Sequence, residues 1–146
     1  MEAHRVLGVD EVDATLDGAA DRVLGQSDFT SSAFEADAIG EEQVGAINAA
    51  TIPGATAFGI AIDPRSGRLF VGNTVPGRRV LSWPSVMSFQ NGESADVVLG
   101  QETDFDQRCT FSPAPTAASL CSPYDMAVDA AGALYVSDTS YHRVLK

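Results

Sequence analysis

Three segments of this chain recur in the same order, and that recurrence limits its possible folds more than any other feature. "HRVL" at His4–Leu7 returns as "RRVL" at Arg78–Leu81 and as "HRVL" at His142–Leu145. "ADRVLGQSDF" (Ala20–Phe29) returns as "ADVVLGQETDF" (Ala95–Phe105). "GIAIDPRSGRLFVGN" (Gly59–Asn73) returns as "DMAVDAAGALYVSD" (Asp125–Asp138). The copies stand about 64 to 75 residues apart. Chance likeness does not preserve order over three separate segments. One supersecondary unit is used more than once, each copy burying its apolar face against the next.

Each segment reads as a strand: short, rich in Val, Ile, Leu, Phe and Tyr, and bounded by Gly, Pro, Asp, Asn or Ser. Four strands make one unit. The first is "FGIAID" or "YDMAVD", the second "RLFVGN" or "ALYVSD", the third "RRVLSW" or "HRVL", and the fourth "DVVLGQ" or "DRVLGQ". "PRSG" and "AAG" join first to second strands as hairpin turns. The first strand carries small residues on one face (Gly59, Ala61, Ala127) and branched ones on the other (Ile60, Ile62, Val128). Small residues let a neighbouring sheet approach closely. The second strand is apolar on both faces at Leu69, Phe70 and Val71, the pattern of a strand covered from two sides.

Four-stranded antiparallel sheets, repeated and packed face to face, are the blades of a β-propeller. "GIAIDPRSGRLFVGNTVPGRRVL" and "DMAVDAAGALYVSDTSYHRVL" resemble NHL repeats. In that pattern a Gly-x-Leu-Tyr-Val-Ala-Asp strand and Thr are followed by a short turn and Arg-Val. Asn73 stands where the pattern has Asp, and "VPGR" lengthens the first copy's turn. The expected architecture is all-β, with NHL-type blades of four antiparallel strands. Residues 1–146 form a single propeller unit of a partial blade (4–29), a full blade (57–105) and a second partial blade (124–146). That makes about two blades per chain, with the ring completed by oligomerisation or by missing sequence. Three chains give six blades; "HRVLG" and "HRVLK" then compete for one slot, and one is displaced, paired elsewhere or disordered.

Charge narrows the partners. The chain has 20 acidic and 9 basic residues, a net charge of -11. Such a surface repels phosphate backbones and anionic headgroups, so nucleic acid and membrane insertion are not expected. No apolar run approaches the roughly 20 residues that span a bilayer, and "MEAHRVLG" has no signal-peptide pattern. NHL-like repeats occur in a peptide-amidating lyase, in RNA-binding propellers and in sensor domains, so the resemblance implies a fold more than an activity. There is no Gly-x-Ser-x-Gly elbow, P-loop or His-Glu-x-x-His. The favoured reading is a non-catalytic scaffold that recognises a peptide, glycan or protein partner. The alternative is a metal-dependent lyase or lactonase-like enzyme with a site in the central channel.

Strand alternation places the second-to-third turns on the same side as the fourth-to-first connections. Those connections are long, roughly Thr30–Ala57 and Asp106–Pro123. Loops of this length are uncommon unless functional, disordered or cross-linked. Asn73, Arg78, Asp138, Tyr141 and His142 gather on that side as candidate ligand contacts. The plainer reading of Asp138 and Arg143 is that they pin their own turn. "EEQVGAINAA" (41–50) has the spacing of a short helix. Cys109 and Cys121 both lie in the second connection and are expected to form a disulfide. That pairing implies an oxidising compartment, extracellular or periplasmic. His4 and His142 occupy equivalent repeat positions, which separates them around a ring and argues for structural roles rather than a shared metal. Asp63 and Asp129 end the first strands; each is a turn cap or, in the other reading, a calcium ligand. No other cofactor is expected.

Overall fold

The structure, a computed structural model, describes residues 6–8, 19–25, 28–30, 59–73, 77–100 and 114–146. The helix expected over 41–50, His4 and Cys109 lie outside the described residues. Every described strand is antiparallel to its neighbours. β1 (Val6–Gly8) and β2 (Arg22–Leu24) form a two-stranded sheet. β3 (Ile60–Ile62), β4 (Leu69–Asn73), β5 (Arg79–Trp83) and β6 (Val97–Leu99) form a four-stranded sheet in sequence order. β7 (Pro123–Val128), β8 (Leu134–Asp138) and β9 (Arg143–Leu145) form a three-stranded sheet. The molecule is therefore all-β among its described residues, with one 3₁₀ turn at Thr139–Tyr141.

The sequence repeat becomes a repeat of register. Ile60 opposes Val71 in the second sheet, and Met126 opposes Val136 in the third. Val71 opposes Leu81, and Val136 opposes Leu145. Leu81 opposes Val98 in the second sheet, and Leu7 opposes Val23 in the first. Because side chains alternate faces with period two, conserving register keeps each apolar set on its own side.

Two cores hold the sheets together. Leu24 of β2 packs with Leu69, Val71, Leu81, Trp83 and Val98 of the second sheet and with Phe89 and Ala95 of its β5–β6 connection. Ala61, Val80, Leu120, Met126 and Val136 form the second core, between the second and third sheets, with Phe70 packed against it. β4 thus contributes Leu69 and Val71 to one core and Phe70 to the other, as a strand covered from both sides should. Gly59 explains the close approach: a Cβ there would stand 3.0 Å from the Asp125 Cα and the Met126 nitrogen. Backbone passes where a side chain would be.

A candidate binding face at the β4–β5 and β8–β9 turns

Asn73 and Asp138 close β4 and β8, and Arg79 and Arg143 open the strands that return. Arg78 and His142, each just before that Arg, adopt left-handed backbone at φ 53° and 50°. The two turns therefore re-enter their sheets through equivalent residues, though neither is glycine. His142 N–H donates to Thr139 O at 3.2 Å, closing the 3₁₀ turn.

Asp138 is fully buried and its carboxylate is well supplied with donors. Oδ1 accepts from the backbone N–H of Cys121 at 3.1 Å and of Ser122 at 2.8 Å. Oδ2 accepts from Arg143 Nε at 3.2 Å. Arg143 Nη1 donates to Thr116 O at 2.9 Å, Nη2 reaches Ser119 O, and its guanidinium lies 5.0 Å from the Tyr141 ring centre. The pair does more than pin its own turn, because it ties the 116–122 connection to β8 and β9. Burial of a charge is tolerated here because these donors satisfy it.

The first copy is built differently. Asn73 is 1% exposed and its amide nitrogen and oxygen have no hydrogen-bond partner. A Cβ on Gly77 would meet the Asn73 side chain at 2.7 Å, so this turn passes tightly over it. Arg78 Nη1 donates to Cys121 Sγ at 3.3 Å, linking the β4–β5 turn to the connection that enters the third sheet. Among the described residues there is no free cysteine; the expected partner of Cys121 lies outside them.

The five candidate residues thus sit at the same end of their sheets but do not present the same surface. Asn73 and Asp138 face inward, where a ligand touches neither. Arg78 and Tyr141 are half-buried and His142 is exposed. Sequence pattern places residues at a strand end without saying which way they point.

Asp63 and Asp129 lie at the opposite end, at the β3–β4 and β7–β8 turns. Asp63 accepts from the Ser66 hydroxyl and from Arg65 N–H at 3.0 Å, and these bonds, the Ser66 bond foremost, hold its carboxyl below the ordinary carboxylate value. Asp129 accepts from the N–H groups of Ala133 and Ala131, both at 2.9 Å, and from Tyr135 Oη at 3.1 Å. The Ala133 bond is the main reason its carboxyl is lowered too. Both caps are committed to turn hydrogen bonds, and among the described residues no three His, Cys, Asp or Glu side chains gather as a metal cluster. Arg65 Nη1 reaches across to Ala131 O at 2.7 Å, clasping one turn to the next.

No helix among the described residues is long and apolar enough to cross a membrane. No family model matches the chain, and a search of curated proteins returns no match.

Proposed function

We propose that this chain is a non-catalytic scaffold of NHL-type propeller blades that binds a peptide, glycan or protein partner at the β4–β5 and β8–β9 turns. The observation that carries the reading is the repeated register: two sheets pair the same positions, and their apolar faces stack through Gly59 and Ala61. Stacked sheets of this kind are what a propeller multiplies. Further blades, from other copies or other sequence, complete the ring.

Arg78, Tyr141 and His142 supply a cation, an aromatic face and an exposed imidazole at one end of the stack, and Asp138 holds the Arg143 that lies against the Tyr141 ring. Aromatic and Arg side chains on rigid turns are the usual anchors of a recognition surface. A Cys109–Cys121 disulfide belongs to the same proposal, because it would brace the connection that Arg78 and Asp138 already hold. Peptide and glycan arrays probed with the wild type and with a Tyr141→Ala, His142→Ala double variant test the face. Ligands retained by the wild type and lost by the variant are expected; a ligand bound equally by both places recognition elsewhere. Metal analysis of the purified protein tests the enzymatic alternative, which requires a stoichiometric ion.

A further inference from the structure

β2 is joined to the second sheet at a turn within the β5–β6 connection, and two hydrogen bonds of the joint fall on one residue. Val23 N–H donates to Asn91 Oδ1 at 3.0 Å, and Gly92 N–H donates to Val23 O at 3.2 Å. The neighbours of Val23 interlock with the same stretch. The Arg22 guanidinium lies 5.8 Å from the Phe89 ring centre, and Leu24 packs in one core with Phe89 and Trp83. The turn itself is braced. Glu93 N–H donates to Gln90 O at 3.0 Å, Gln90 N–H donates to Glu93 Oε2 at 2.7 Å, and Trp83 Nε1 donates to Glu93 O at 2.9 Å. Gly92 takes φ 70° at the third position of this turn, where the lack of a Cβ permits left-handed backbone.

Asn followed by Gly is also a reactive pair. The Gly nitrogen, with no side chain beside it, attacks the amide carbon of Asn. A C–N bond forms, ammonia leaves and a cyclic imide results. Water then opens the imide at either carbonyl, giving aspartate or isoaspartate. The first step asks two things of this turn: Gly92 N must give up its proton, and the Asn91 side chain must swing back onto that nitrogen. Docked β2 opposes both. Val23 O engages the Gly92 N–H, and Val23 N–H holds Asn91 Oδ1 in place. Asn91 is exposed, so water reaches it whether or not β2 is docked. What the docked strand withholds is the geometry of attack.

We propose that Asn91–Gly92 is a deamidation site gated by β2, closed while β2 is docked and open once it leaves. The two products then differ in what they allow. Aspartate keeps a carboxylate oxygen to accept from Val23 N–H. Isoaspartate routes the main chain through the former side chain and adds one methylene before Gly92 N, so both contacts with Val23 no longer fit together. Detachment of β2 that lasts long enough for reaction therefore becomes permanent in the isoaspartyl chain. The inference goes beyond the binding role proposed above and does not depend on it.

The test incubates the whole chain in mildly alkaline buffer and follows Asn91 by peptide mapping and mass spectrometry, beside a free peptide of residues 88–95, Ser-Phe-Gln-Asn-Gly-Glu-Ser-Ala. Asn91 in the folded chain should react at least about tenfold more slowly than in the peptide, because reaction waits on local opening. Leu24→Ala, which loosens β2, should bring the rate towards that of the peptide. If circular dichroism shows that variant unfolded, the wild type in urea below its unfolding transition replaces it. There the loss of Asn91 should rise in step with amide exchange at Gly92, ahead of exchange in β4. The isolated isoaspartyl chain should keep fast exchange at Gly92, whereas Asn91→Asp should retain protection. Three results overturn the proposal: a folded chain that reacts as fast as the peptide, loss of Asn91 that rises only with exchange in β4, or an isoaspartyl chain that regains protection at Gly92.

Discussion

Asp138 and Asn73 occupy one repeat position with opposite outcomes. Asp138 draws two backbone donors and a guanidinium into a buried site, and removing it takes an acceptor from Cys121 N–H, Ser122 N–H and Arg143 Nε. Asp138→Ala should cost about 3 kcal/mol in denaturant unfolding, because buried groups that lose a charged partner carry their full desolvation penalty. Asn73 faces Arg79 across the same register, yet its amide makes no hydrogen bond. Asn73→Asp places a carboxylate where the other copy has one and should raise stability by about 1 kcal/mol. A loss instead would show that this turn cannot shelter the charge. At the other end, Asp63 and Asp129 have carboxyls lowered by turn hydrogen bonds. A folded value below the unfolded one means that their contribution is complete at neutral pH. It holds down to about pH 4 and is lost as pH falls further, through the folded values. Unfolding midpoints measured from pH 6 to pH 2 should fall for the wild type, and less steeply for Asp129→Asn.

At the level of strands and turns, glycine sets the spacing between layers. Gly100 has φ 96°, and a Cβ there would fall 2.4 Å from the Leu120 Cβ, while its carbonyl accepts Leu120 N–H at 2.9 Å. Gly100→Ala combines backbone strain with a core clash and should destabilise by about 2 to 4 kcal/mol. Gly59→Val should separate the second and third sheets, seen as faster amide exchange in β3 and β7 with β5 less affected. Strand identity, order and grouping were legible in the residues, because period-two alternation and the Asp–Gly turns repeat in both copies. The burial of Asn73 and Asp138 was not, since a polar residue closing a strand reads the same whether it faces solvent or core. The left-handed His142 was hidden because "TSYHR" contains no glycine to mark the position. The cavity of about 380 Å³ lined by Leu99, Leu120, Leu134 and Leu145 was equally invisible: these residues come from four separate stretches and meet only once the sheets stack.

Across the whole molecule, the stack leaves apolar surface at both ends. Ile60 and Ile62 share a face with Val71 and Leu69 by register, but each is 47% exposed where those two are buried. At the other end Val144 is 67% and Tyr124 54% exposed. Faces that are covered between neighbouring sheets within the chain are thus open at its margins, and burying them gains roughly 25 cal/mol per Å² of apolar area. Rotational closure turns such stacking into a ring instead of a fibre. Light scattering coupled to size exclusion is therefore expected to find association at micromolar concentration, and a species of three times 15.3 kDa if six blades close the ring. An Ile60→Lys, Ile62→Lys double variant should shift the equilibrium to monomer. A folded monomer at all concentrations would overturn association through these faces.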